Sequence, residues 1–167
     1  MEFFGIDLWT WGCGAVFFIA LAALSVIDFR TGYLPDVIVA PLGLAGLAIA
    51  VAGSPLGVSW TMALLGAAIN AGVFYGLRWA ISRWKGREAM GLGDVKLVAV
   101  AGLWLGPLAL PYIMAVAGLS TLLGAVVGGL VTGKPVWQGE MPLGPGLALG
   151  MFGVFVGMAA GLPLGMV

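Results

Sequence analysis

Apolar residues run along this chain in blocks too long and too unbroken for the half-buried elements of a soluble domain. A helix crosses a bilayer core with roughly 20 apolar residues, within a range of about 17 to 25. Six segments approach that length: about Leu8 to Ile27, Val37 to Val51, Trp60 to Ala80, Leu92 to Leu105, Leu108 to Val131 and Leu143 to Leu162. They are separated by "TGYLP", "GSPLG", the basic "SRWKGRE", Gly106-Pro107 and "TGKPVWQGEMP", and Gly or Pro punctuates each break. The fourth segment is short. At about 1.5 Å per residue it barely crosses a core alone, so it starts earlier or thins the membrane locally. The pattern predicts an all-α membrane protein, a polytopic bundle of about six transmembrane helices forming one domain over residues 1–167.

Composition agrees. The chain is 62% hydrophobic and 8% charged, whereas a soluble domain is about 25% charged. Seven acids balance seven bases, so net charge gives no sign of a nucleic-acid partner, and none is expected. The single cysteine, Cys13, excludes an intrachain disulfide and a thiolate cluster, and histidine is absent. That removes the usual zinc ligand and the usual neutral-pH base. No metal and no cofactor are expected.

The placement of charge is informative. Arg30 falls after the first segment, Arg78, Arg83, Lys85, Arg87 and Lys96 around the third-to-fourth connection, and Lys134 between the fifth and sixth. In a six-span chain these connections share one side, which the positive-inside rule makes cytoplasmic. Both termini then face outward. Glu2 and Asp7 agree with that and argue against the basic start of a cleaved signal peptide. Glycines recur every four residues at Gly72 and Gly76, at Gly124 and Gly128, and at Gly153, Gly157, Gly161 and Gly165. Such stripes are expected to let helices approach closely.

Three carboxylates lie at the expected cytoplasmic interface: Asp28, Asp36 and Asp94. Helix capping explains Asp36 and would also suit Asp94, since each opens a segment. It explains Asp28 poorly, because Asp28 lies at a helix C-terminus, where the dipole disfavours an anion. Ionisable groups beside apolar segments point to function. Two close carboxylates share one proton and titrate as a unit, as in the aspartic protease dyad. One activates water while the other donates to the scissile carbonyl. Gly91 and Gly93, flanking Leu92 just before Asp94, would supply backbone flexibility and N–H groups for an extended substrate. Lys96 lies on a different helical face from Asp94; lipid phosphate, substrate positioning and a snorkelling anchor are all open for it.

These residues carry a resemblance. "GLGDVKLVAVAGLWLG" at 91–106 resembles the Gly-x-Gly-Asp-x-Lys block of type IV prepilin peptidases. "IDFRTGYLPD" at 27–36 resembles their first-aspartate block, and "MPLGPGLALG" at 141–150 their Pro-x-Gly-Pro block. Order and spacing match over essentially the whole chain. Presenilin-like proteases share Gly-x-Gly-Asp, but they are larger and their first aspartate has another context.

The resemblance implies an aspartic endopeptidase that removes the short basic leader of type IV prepilins or pseudopilins, cutting after a Gly at the cytoplasmic membrane edge. It implies catalytic Asp28 and Asp94, with Gly91, Gly93, Lys96 and Asp36 in substrate-binding or supporting roles. Membrane lipid is the other expected partner. Many members also methylate the new N-terminus through a cytoplasmic insertion with two Cys-x-x-Cys pairs. Only "RTGYLP" separates the first two segments here, so a peptidase without methyltransferase activity is expected, either naturally short or the core of a longer relative. The competing expectation is a small transporter or channel subunit with Asp28 and Asp94 in an ion path. A structural assembly partner is a third.

Overall fold

The computed structural model describes residues 2–3, 6–86, 91–132, 143–162 and 164. Arg87, Glu88, Lys134, Glu140 and Gly165 lie outside them. Six α-helices follow one another: α1 (Leu8–Thr31), α2 (Asp36–Gly53), α3 (Trp60–Lys85), α4 (Leu92–Leu105), α5 (Leu110–Thr132) and α6 (Gly144–Ala159). A 3₁₀ turn, Pro107–Ala109, leads into α5, and Glu2–Phe3 pairs antiparallel with Ile6–Asp7 ahead of α1. Among the described residues, four helical stretches are long and apolar enough to cross a membrane: Leu8–Thr31, Asp36–Gly53, Trp60–Lys85 and Pro107–Leu130.

The helix boundaries follow local chemistry. Asp7 caps α1 by accepting from the Thr10 N–H at 3.2 Å and from the Thr10 hydroxyl, and these bonds hold its carboxyl below the usual range. Ser59 caps α3 by accepting from the Met62 N–H at 3.3 Å. Gly32 and Gly86 close α1 and α3 in the left-handed conformation, where a side chain is disfavoured. α1 therefore runs four residues past its apolar stretch. Asp28 lies one turn inside the helix end, and its own carbonyl accepts the Gly32 N–H at 2.8 Å.

The short α4 is the hub. It packs against α2, α3 and α6, while α6 packs against α1 and α5. Eight of its 14 residues are buried. A helix of about 21 Å need not match a bilayer when it is surrounded by protein. α3, by contrast, buries only Ala63, Gly66, Asn70 and Phe74 along one side.

The tight crossings differ from the expected glycine stripes. Gly72, Gly76, Gly124, Gly128, Gly153 and Gly161 have nothing within 4 Å of where a side chain would begin. Gly157 meets only the Leu162 and Leu164 side chains. The backbones meet instead at Gly66 and Gly102, where an added Cβ on Gly66 would stand 2.6 Å from the Gly102 carbonyl oxygen. Gly46 receives the Trp104 indole, and Gly150 lies against Ile113. A four-residue repeat marks a smooth helix face, but nothing in the repeat says whether that face meets protein or lipid.

The end of the bundle holding the start of α1 and the end of α6 is aromatic. Phe17 stacks on Trp104 at 4.5 Å and meets Phe155 at 5.5 Å. The Trp104 indole N–H donates to the Leu42 carbonyl at 2.9 Å, which satisfies the one polar atom of a buried ring. Asp28, Asp36 and Asp94 lie at the opposite end.

Candidate active site

At that opposite end, α1 finishes, α4 begins and α6 begins. Asp28, near the end of α1, is 7% exposed. Its Oδ2 accepts the backbone N–H of Gly144 at 3.1 Å. Gly144 is the first residue of α6, so its N–H is one of the helix donors with no intrahelical acceptor. The anion-unfriendly end of α1 is thus matched by the positive end of α6. Contact is so close that a Cβ on Gly144 would overlap the Asp28 carboxylate. Pro145 follows, and a missing N–H costs nothing in a first helical turn.

Asp94 lies in the first turn of α4, half-buried. Gly91 is the N-cap residue and has no side chain with which to cap. The two acids implied by the sequence blocks, 66 residues apart in the chain, thus lie at one end of the bundle, Asp28 near the end of α1 and Asp94 at the start of α4.

Of the two glycines before Asp94, Gly93 serves packing, while an added Cβ on Gly91 would meet nothing closer than 3.8 Å. Gly91 has ordinary extended angles, φ −66° and ψ 144°, and Gly93 is not among the positive-φ glycines. A Cβ on Gly93 would stand 2.9 Å from the Leu34 Cβ. Leu34, itself buried, thereby seats the α1–α2 turn on the start of α4. Gly93 thus answers a steric requirement of this crossing.

Asp36 also departs from expectation. Pro35 holds the N-cap position of α2, with no side-chain capping bond, and its carbonyl accepts the Ile38 and Val39 N–H groups. Asp36 is already helical, so its carboxylate cannot reach back to cap. It instead takes the Lys96 ammonium on both oxygens, Nζ to Oδ1 at 2.7 Å and to Oδ2 at 2.8 Å. Lys96 is neither a lone anchor nor a free cation.

Sequence reasoning missed Gly144 and Leu34 as parts of this site. Both lie within or beside the quoted blocks, but their contacts join residues far apart in the chain. Among the described residues no group of three or more His, Cys, Asp or Glu could hold a metal ion. The described cations Arg30, Arg78, Arg83, Lys85 and Lys96 lie at this same end, and the Arg83 guanidinium sits 5.7 Å from the Trp79 ring centre.

Comparison with known proteins shows the family of the chain. The sequence profile of the Type IV leader peptidase family matches residues 15–166. A protein of Burkholderia pseudomallei named prepilin leader peptidase/N-methyltransferase is 38% identical over 133 residues, covering 78% of this chain and 41% of that protein. Proteins of the same name from Aeromonas salmonicida and Escherichia coli K12 are 39% and 37% identical over 145 and 140 residues. They are covered to 47% and 60% of their lengths, for 83% and 82% of this chain. The chain thus spans about half the length of the curated relatives it matches. No solved structure matches it.

Proposed function

The chain belongs to the Type IV leader peptidase family, and from that premise we propose that it is a multi-pass membrane aspartic endopeptidase with Asp28 and Asp94 as its catalytic pair. One observation carries the reading: the α1–α2 turn that begins four residues after Asp28 seats its Leu34 on Gly93, the residue before Asp94, so both carboxylates lie at the same end of an otherwise apolar bundle.

In this reading the pair holds a water between its carboxyl groups. One carboxylate takes a proton from that water as its oxygen attacks the scissile carbonyl carbon, and the other, protonated, donates to the carbonyl oxygen. Collapse of the tetrahedral intermediate breaks the C–N bond. The proton taken from water passes to the leaving amine, and as the carbonyl re-forms one hydroxyl proton of the intermediate returns to the carboxylate that had donated, so the site ends with the one proton it began with. Gly144 N–H keeps one oxygen of Asp28 engaged and leaves the other for water.

The substrate is a type IV prepilin or pseudopilin, whose basic leader is cut after a Gly. The polar end faces the cytoplasm, where the cations sit by the positive-inside rule, and both termini face outward. A single cysteine at Ser82 should then react with an impermeant thiol reagent only after permeabilisation, and one at Ser54 without it. Given prepilin and S-adenosylmethionine, this chain should yield a cleaved, unmethylated product.

An ion-relay role would call for carboxylates at several depths. The described ones with placed side chains lie at the two ends, Asp7 capping the outer start of α1 and Asp28, Asp36 and Asp94 at the other. The deciding experiment is cleavage of a prepilin by Asp28→Asn, Asp94→Asn and the double variant. Each single should abolish cleavage without loss of membrane insertion. The double should be no worse, since the pair acts as a unit. Near-normal cleavage by Asp28→Asn would break the assignment.

A further inference from the structure

The α1–α2 turn touches α4 on both sides of Asp94. Leu34 packs on Gly93, the residue before it, and Asp36 grips Lys96, two residues after it. The same turn begins four residues after Asp28. One short piece of chain thus links the end of the helix bearing Asp28 to the first turn of the helix bearing Asp94.

Resting on the peptidase reading above, we propose that the Asp36–Lys96 ion pair is a clasp. Its two members are positioning residues that hold the α1–α2 turn, and through it the mutual placement of Asp28 and Asp94, and neither binds substrate. Both carboxylate oxygens of Asp36 are taken up by one ammonium, which defines a single geometry. The side chains are half exposed, 50% for Lys96 and 57% for Asp36. An ion pair in such a place adds little to overall stability. It can still fix a local register, and displacement of a catalytic group by about 1 Å costs on the order of a hundredfold in rate. Leu34 alone gives the turn a seat, but one apolar contact does not stop it sliding along α4. The ion pair supplies the second point.

The test uses the full chain in detergent micelles and a synthetic peptide spanning the leader junction of a type IV prepilin. Asp36→Asn and Lys96→Met should each lower kcat by about five- to twentyfold with KM changed less than twofold. Asp36→Lys should be worse, because two ammonium groups then face each other. The charge-swapped double variant, Asp36→Lys with Lys96→Asp, should recover most of the loss. A second measurement needs no substrate: amide hydrogen exchange in residues 31–36 should quicken at least about threefold in each single variant and slow again in the swap.

A rise in KM with kcat unchanged would overturn the proposal in favour of substrate binding by these residues. A swap as slow as Asp36→Lys, or exchange unaltered in the singles, would equally overturn it. The proposal and the peptidase reading fail separately. If Asp28→Asn and Asp94→Asn retain cleavage, the catalytic assignment falls whatever the clasp does. If those variants are inactive while the clasp variants behave as wild type, only the clasp falls.

Discussion

The two aspartates are held in opposite ways. Asp28 is buried, and α6 holds it directly: a backbone N–H bonds one carboxylate oxygen, and the missing side chain of Gly144 makes room. Asp94 is half-buried, and what is held is the start of its helix, by a leucine on a glycine and by a half-exposed ion pair. The first hold is short, rigid and shielded. The second is made of side chains and is open to solvent. One aspartate is thus held by a backbone contact and the other through side chains, so the two holds should respond differently to substitution and to salt.

That contrast can be broken in order of expected effect. Gly144→Ala is the most severe, since its Cβ overlaps the Asp28 carboxylate. Cleavage should fall by about a hundredfold or more, close to the loss in Asp28→Asn, while helical content by circular dichroism stays unchanged. Wild-type activity in Gly144→Ala would show that Asp28 is not held as described.

Gly93→Ala should be milder. The Leu34 Cβ stands 2.9 Å from the new atom, so the turn must shift, and a cleavage assay should show a loss of about tenfold. Equal losses at Gly93 and Gly144 would erase the distinction between the two holds.

Salt separates them further. Screening lengths fall from roughly 14 Å to roughly 4 Å between about 0.05 and 0.5 M salt, and an exposed ion pair weakens accordingly. With saturating peptide, wild-type kcat should drop about two- to threefold over that range, and kcat of Lys96→Met should not. Equal salt dependence in both would place the effect elsewhere.

The smallest effect concerns the packing of α3 against α4. Asn70 is fully buried on α3, and neither atom of its amide has a hydrogen-bond partner. It shares the face of Gly66, which meets α4. Replacing an unsatisfied buried amide with an apolar group of similar size removes a desolvation cost of about 1–3 kcal/mol. Asn70→Leu should therefore raise the thermal midpoint by a few degrees and alter cleavage less than twofold. A lower midpoint would show that the amide is satisfied in the membrane.

The number, order and starts of the helices were legible in the chain because each depends on neighbours in sequence. Long apolar runs need a helix in lipid, and Gly and Pro punctuate them. The fourth segment was read at Leu92 to Leu105 and lies there. Helix ends were less legible. α1 and α3 run four and five residues beyond the segment ends expected at Ile27 and Ala80, to glycines in the left-handed conformation. Asp28 and Asp94 stood out because an acid beside an apolar run is costly and needs a reason.

Contacts decided the rest. Eight glycines in regular stripes were legible as smooth faces. Yet the described ones either open outward or meet only leucine side chains, and the bundle closes at Gly66, Gly102 and Gly150 instead. Asp36 looked like a cap, but Pro35 already occupied that position and Lys96, 60 residues away, took the carboxylate. The Asp28–Gly144 bond joins residues 116 apart. The sequence by itself determined that the chain folds as apolar helices with acids at their ends, because burial and helix propensity act locally. Only the tertiary structure decided which helix end meets which, because that depends on how whole faces fit together.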